Sequence, residues 1–390
     1  MNKQIYLDNA ATTYTTGEVF SAMQPYFLVD YGNASSSHSM GRTAEEALYN
    51  ARVQVAKIIN AEPDEIYFTS GATEANNWFI KGVIEASNIK RILVSEIEHS
   101  CIMETAKWAE SQGVAVEYIR VDENGIISIP DLLSKLSKPA CLVSVMTANN
   151  EMGTVQYINT IAKICAEKGV YFHTDATQAI GCVDINVKEM SISGLSMSAH
   201  KLYGPKGIGA LFIKKGTRVA TLIHGGHQER GKRAGTSNTP GAVGFGKAVE
   251  ICMRDGNMNN NRIRGLRDYF IREVINRIPA VKLNGHPTQR LANNVNFSFE
   301  GIEGESILTL LDMDGICVST GSACNSGSLE RSYVLSAMGV ADEMINGSVR
   351  FTLGRGTTKE DIDYTLEKLV DVVKKLRKIS ALPLKKGGKE

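Results

Sequence analysis

"CLVSVMTANNEMGTVQYINTIAKICAEKGVYFHTDATQ", residues 141–178, decides the fold. It opens and closes on short apolar runs, "CLVSVM" and "VYFHT", with a helix-length stretch at 158–168 between them. Strand, helix, strand in that order is the unit of a parallel sheet. Each apolar run is followed at once by polar residues, "NNE" at 149–151 and "TDATQ" at 174–178.

The same alternation extends in both directions. Upstream lie the runs "EIYF", "RILVSE" and "VAVEYI", and downstream "GLSMS" and "IGALFI". Helical stretches such as 101–112 separate most of them. "GRTAEEALYNARVQVAKIIN" sets Ala44, Ala47, Leu48, Ala51, Val55, Ile58 and Ile59 on one stripe. From about residue 41 to 255 the pattern predicts an α/β fold, a mainly parallel sheet with helices on both faces.

"RDGNMNNNR" (254–262) breaks the composition and reads either as a domain hinge or as a helix–helix turn. Beyond it the spacing predicts a helix to about Arg277, a strand at "NNVNFSF", a helix around Glu305–Leu311, a strand at "SVRFTL" and a last helix. The last helix opens on the capping-box pair Thr358 and Asp361 and carries Ile362, Leu366, Leu369, Val370 and Val373 on one face. This part reads as a smaller α+β domain. A chain of 390 residues has room for both units.

Bulk properties exclude several classes. The 43 basic and 42 acidic side chains nearly cancel, which argues against direct nucleic-acid binding. No apolar run approaches the roughly 18 residues of a membrane span, and "MNKQIYLDNAATT" lacks a signal-peptide core, so a cytoplasmic location is expected. The seven cysteines form no CxxC pair, so neither a disulfide framework nor a zinc site is expected. Cys141 and Cys165 lie in apolar patterns and read as core residues. "HGGHQE" offers His224 and His227 without a third ligand, and no metal is expected there.

Five polar clusters share one placement. "SGATEANN" (70–77), "EHS" (98–100), "NNE", "TDATQ" and "SAHK" (198–201) each follow a strand run. Ligands of open α/β sheets bind outside the carboxyl ends of the strands, so five clusters there describe one pocket. Lys201 in a dry pocket is suited to a Schiff base with an aldehyde cofactor. Asp175, after an apolar strand, needs a partner, which a protonated pyridine nitrogen supplies. "SGATE" at a helix start offers backbone N–H groups to a phosphate. His99 is a flat ring able to lie against another. Together these describe pyridoxal 5'-phosphate. Each also has a plainer reading: a surface lysine, an Asp175 that caps the next helix, an ordinary helix start, a structural histidine, and turn residues at Asn149 and Asn150.

"STGSACNSGS" (319–328) places Cys324 among Gly, Ser, Ala and Asn, an unusual setting for a residue so often buried.

With these motifs in order the chain resembles the cysteine desulfurases of the NifS/IscS type, in the class V aminotransferase family of fold-type I pyridoxal-phosphate enzymes. The similarity runs from "YLDNAATT" (6–13) to about Leu376 and includes "FTSGATEANN", "EHS", "NNEMGTVQ", "HTDATQAIG", "SAHKLYGPKGIGAL", "HGGHQERGKRAGT", "EGES", "STGSACNSGSLERSYV" and "RFTLGRGTT". The resemblance implies a seven-stranded sheet in a large domain at 15–256. It implies a small domain formed by 1–14 with 257–390, and a homodimer. It makes Lys201 the Schiff-base lysine, Asp175 the partner of the pyridine nitrogen, Gln178 the partner of the ring oxygen, and His99 the stacking ring and a proton-transfer group. Ala72, Thr73, Ser198 and His200 would hold the phosphate, with Thr236 reaching it from the other subunit. Asn150 would lie beside the ring and Arg355 would clamp the substrate carboxylate. Cys324 would take the sulfur of L-cysteine as a persulfide, releasing alanine, and pass it to an acceptor such as an iron–sulfur scaffold or a tRNA-thiolation protein. A transaminase or selenocysteine lyase on the same fold is the alternative, since either shares Lys201 and Asp175 without needing a persulfide on Cys324. The sequence departs from the family at Ala34 and Arg331, where Pro is common, at Gly356, where an aromatic is common, and in the tail "PLKKGGKE".

Overall fold

A computed structural model describes residues 4–138, 142–320 and 331–380. The chain starts on a two-residue strand, β1 (Ile5–Tyr6), and then builds a central sheet from β2 (Ile66–Thr69), β3 (Arg91–Ser95), β4 (Ala115–Ile119), β5 (Leu142–Ser144), β6 (Tyr171–Asp175), β7 (Gly194–Ser198) and β8 (Gly209–Ile213). Their order across the sheet is β2-β8-β7-β6-β5-β3-β4. β8 pairs antiparallel with β2 and β7, while every other pairing is parallel. Reversal of β8 alone leaves β2 running with β7, so β2, β3, β5, β6 and β7 all end at one edge.

The helices cover both faces because their apolar residues recur at helical spacing. Helix Ile158–Glu167 buries Ile158, Ile161, Ala162 and Cys165 against one face. Helix Ala72–Ser87 buries Ala75, Trp78, Phe79 and Val83 in the cluster on the other. Sandwiched this way, β3, β5 and β7 are buried along their whole length, which is why they read as unbroken apolar runs rather than alternating ones.

A second cluster lies around β9 (Val281–Leu283), β10 (Asn294–Phe299), β11 (Ile316–Cys317) and β12 (Ser348–Thr352). β10 is flanked antiparallel by β9 and β12, and β1 pairs parallel with β11. Helices Gly304–Met313 and Lys359–Ile379 pack here, the latter opened by the expected Thr358–Asp361 capping box. Ile5 and Leu7, from the start of the chain, belong to this cluster.

The composition break at 254–262 is neither a hinge loop nor a turn. One helix of 39 residues, Thr239–Arg277, runs through it. Its first half contributes Phe245, Ala248, Val249 and Cys252 to the large cluster, and its second half Ile263, Phe270 and Val274 to the smaller one. Packing at both ends outweighs the poor helix propensity of Asn and Gly between them. The segment contains no Pro to break the hydrogen-bond ladder, and Asn260 donates instead to the carbonyl of Gly181 at 2.7 Å.

Candidate active site

Asp175 is the last residue of β6 and is 5% exposed. Its Oδ1 accepts from the Thr177 backbone N–H at 2.9 Å, and its Oδ2 from Asn76 Nδ2 at 2.7 Å. Asn76 reaches it from the second turn of helix Ala72–Ser87 and is wholly buried. Lys201 ends the short turn Ala199–Lys201 that follows β7. Its Nζ donates to the carbonyls of Ala10 and, at 2.7 Å, Ala11. Gln178 Nε2 donates to the Ala10 carbonyl as well, at 3.1 Å. The segment after β1 is thus drawn onto the carboxyl edge of the central sheet by two polar side chains.

His99 follows β3 and caps helix Ser100–Ser111, its Nδ1 accepting from the Cys101 backbone N–H at 3.2 Å. Burial pushes the imidazole below the usual histidine range; Asp175 opposes that shift and Lys201 adds to it. His200 is pushed down to about 4, first by burial and then by Lys201 and Lys206. Its Nδ1 lies 3.0 Å from Thr12 Oγ1.

Helix Ala72–Ser87 starts at Gly71, which has no side chain to cap its first N–H groups. Gly209 of β8 lets the backbones approach there: a Cβ on it would sit 2.7 Å from Gly71 Cα. Ser198, paired with Gly209 in register, ends β7 beside this start.

Ala72, Thr73, Ser198 and His200 all line a cavity of 570 Å³, as do His99, Asn150, Asp175, Gln178 and Lys201. Two further expected site residues lie elsewhere. Thr236 is exposed and outside this cavity. Arg355 borders a smaller cavity with Cys182 and Cys252, on another side of Lys201 and Gln178. There its guanidinium stacks 4.5 Å from the Tyr203 ring centre, and its backbone N–H donates to the Tyr203 hydroxyl at 2.6 Å. Cys324 and Cys141 lie outside the described residues.

The guanidinium that lines the main cavity belongs to Arg350, in β12. Arg350 is 2% exposed, donates to Asp8 Oδ1 at 2.8 Å and to the Asn150 carbonyl at 3.2 Å, and keeps Nε buried without a partner among the described residues. A charged side chain in the middle of the apolar run "SVRFTL" was the available signal, because burying it is costly unless something binds it. Cys101 and Asn76 also went unread. Cys101 lines the cavity, its thiol 3.1 Å from His99 Nδ1.

The residues present fit pyridoxal 5'-phosphate. A helix start with unsatisfied N–H groups suits a phosphate, Asp175 suits a cationic ring nitrogen, and Lys201 supplies the amine. Among the described residues, Thr177 Oγ1 and Arg350 Nε, both of residues lining this cavity, are buried polar atoms without partners.

The sequence profile described as Aminotransferase class-V matches residues 5–365. The chain is 52% identical over 386 residues to a cysteine desulfurase IscS of Clostridium botulinum, covering 98% of this chain and 97% of that one. It is 50% identical to a cysteine desulfurase IscS of Methanosarcina thermophila, covering 98% and 95%. Among solved structures it is similar to a NifS-like protein, with a TM-score of 0.90 and 35% identity over 96% of this chain and all of that one.

Proposed function

Because the chain belongs to the class V aminotransferase family and, within it, to the cysteine desulfurases, we propose that it converts L-cysteine to L-alanine with pyridoxal 5'-phosphate and keeps the sulfur on Cys324. The balance is L-cysteine plus the Cys324 thiol giving L-alanine plus the Cys324 persulfide. The carrying observation is that Lys201, Asp175, His99 and the uncapped helix start line one cavity.

The bound cofactor supplies an electron sink for the bonds at the substrate's Cα. The chain's own residues do the rest. The N–H groups at Ala72 and Thr73, with Ser198 and His200, bind the phosphate. Asp175, fixed by Asn76 and Thr177, holds a proton on the ring nitrogen. Gln178 hydrogen-bonds the ring oxygen. Lys201 would hold the cofactor through Nζ, and the same amine would serve as the base at the substrate Cα. His99 packs on the ring as a neutral imidazole. Arg350, rather than Arg355, clamps the substrate carboxylate, since its forked donors line this cavity and one is unspent.

Several parts of the reading rest on the resemblance alone. The protein works as a homodimer, with Thr236 completing the partner's phosphate site. Residues 15–256 form the cofactor domain, and 1–14 with 257–390 the small one. Cys324 passes its sulfur to an acceptor protein for iron–sulfur assembly or tRNA thiolation in the cytoplasm. Among the described residues no helix is long and apolar enough to cross a membrane.

The test is holoenzyme given L-cysteine without reductant. Alanine should form, and mass spectrometry should find one added sulfur on the peptide holding Cys324. Cys324→Ser should keep the cofactor yet lose alanine release, because a serine hydroxyl is a far poorer nucleophile toward sulfur than a thiolate. Alanine at the wild-type rate from that variant would point to a lyase or transaminase instead.

A further inference from the structure

We propose that Asn76 and Cys101 are positioning residues that hold the His99 ring as its neutral Nε2–H tautomer and tie it by hydrogen bonds to Asp175. The inference rests on the cofactor-site reading above and deepens it by fixing where the protons lie.

A backbone N–H can only donate. The Cys101 N–H points at His99 Nδ1 from 3.2 Å, so that nitrogen presents its lone pair. In a neutral ring the proton must then be on Nε2. Cys101 Sγ lies 3.1 Å from the same Nδ1. With Nδ1 accepting, the thiol is the donor. Burial, with Asp175 adding, pushes that thiol up to about 12, so it keeps the proton it donates. The sulfur in turn accepts from Asn76 Nδ2 at 3.2 Å, and Nδ2 donates also to Asp175 Oδ2 at 2.7 Å. The Asn76 amide is not free to flip, because its Oδ1 would then face a carboxylate oxygen. It keeps this orientation although Oδ1 is left buried without a partner.

Each link therefore has one donor and one acceptor: Asn76 to Asp175, Asn76 to Cys101, Cys101 to His99. The charged or titratable groups acting on the ring are Asp175 from the end of β6, Lys201 from the turn after β7, and Cys101 from its own helix. To become a cation this tautomer must take a proton at Nδ1, where two donors already point. The network thus resists imidazolium formation and leaves Nε2–H as the nitrogen free to donate.

The test is nitrogen NMR of full-length holoenzyme labelled with ¹⁵N-histidine, with His99→Gln identifying the His99 signals. At pH 7 the wild type should show a protonated Nε2 and a bare Nδ1. Cys101→Ala removes one of the two donors and should raise the His99 titration midpoint, by up to about 1 pH unit. Cys101→Ser keeps a donor and should bring the midpoint back toward wild type, which a loss of packing alone would not do. Asn76→Leu removes the donor to the Cys101 sulfur and to Asp175, leaves the Asp175 charge less neutralised beside the ring, and should raise the midpoint by up to about 1 pH unit. An Nδ1–H tautomer or a cation in the wild type at pH 7, or unmoved midpoints in both Cys101→Ala and Asn76→Leu, overturns the proposal. Borohydride fixation of pyridoxal phosphate on Lys201, measured in the same samples, separates the two readings. If fixation persists while His99 is unmoved, only the network fails. If Lys201 is never tagged, the cofactor site is wrong.

Discussion

Ser319 and Arg350 exchange two backbone hydrogen bonds, Ser319 N–H to the Arg350 carbonyl at 3.1 Å and Arg350 N–H to the Ser319 carbonyl at 2.7 Å. The segment that follows β11 is therefore tied to the one arginine, among the described residues, that lines the 570 Å³ cavity. The carboxylate clamp proposed above and the residues that precede Cys324 in sequence share one backbone pair.

Arg350→Lys keeps the charge and loses the fork. It should lower kcat/KM for L-cysteine roughly 10- to 100-fold, mostly through KM, the range for losing hydrogen bonds to a charged group. Arg355→Lys should change KM far less. Steady-state kinetics on both, with thermal melting to verify folding, decide the matter. A larger KM effect at Arg355 would return the clamp to the position the sequence first suggested.

Lys201→Ala should abolish the covalent, borohydride-reducible attachment of pyridoxal phosphate while leaving the fold intact. Its amine donates to the carbonyls of Ala10 and Ala11, in the segment that follows β1 and outside the hydrophobic clusters. Peptide mapping of the reduced wild type should place the tag on Lys201, and a tag on Lys206 would reassign the amine.

Thr236 should act across a subunit boundary. Mixing Thr236→Ala with Lys201→Ala protein under exchange conditions gives heterodimers with one doubly defective site and one intact site. Random exchange should restore about a quarter of wild-type activity. Verified exchange without recovery would mean that each chain builds its site alone.

Stability should fall as pH rises from 7 to 8. Burial pushes the Glu98 carboxyl up to about 8 and that of Glu151 up to about 7, although Met146 N–H and Ser332 Oγ donate to them. A raised folded pKa contributes stability that is complete below the ordinary carboxylate range and is lost as pH climbs through the folded value. His99, His173 and His200 work in the opposite sense. Burial pushes each below the ordinary histidine range, so their contributions hold above that range and fade as pH falls from it toward the folded values. Above about pH 7 the two glutamates dominate, each sloping by up to about 1.4 kcal/mol per pH unit. Urea unfolding at pH 7, 7.5 and 8 should show the decline, and Glu98→Gln or Glu151→Gln should flatten it. A level wild-type profile refutes the assignment.

Most of the large sheet was legible because its central strands are buried on both faces and its helices repeat at their own period. Lys201, Asp175 and His99 were legible for a related reason: each directly follows a run of that kind. The two arginines of "RFTLGR" were not separable by pattern. Arg350 lies within β12 and Arg355 beyond its end, and only the strand's seating decides which cavity each meets. Asn76 and Cys101 were invisible because their roles arise where two helices meet, 25 residues apart in the chain. The Asn-rich stretch misled because local propensity says nothing of the two clusters gripping the helix on either side.

The strand Ile5–Tyr6 has a consequence for synthesis. It pairs with Ile316–Cys317, and Asp8, two residues on, is held by Arg350. On the ribosome Ile5–Tyr6 must wait, unpaired, until Ile316–Cys317 and then Arg350 have emerged. Those contacts anchor the segment whose Ala10 and Ala11 carbonyls accept from Lys201. A nascent chain stalled before residue 316 could lay down the central sheet and still have no finished place for its cofactor, so cofactor capture should follow the emergence of Arg350.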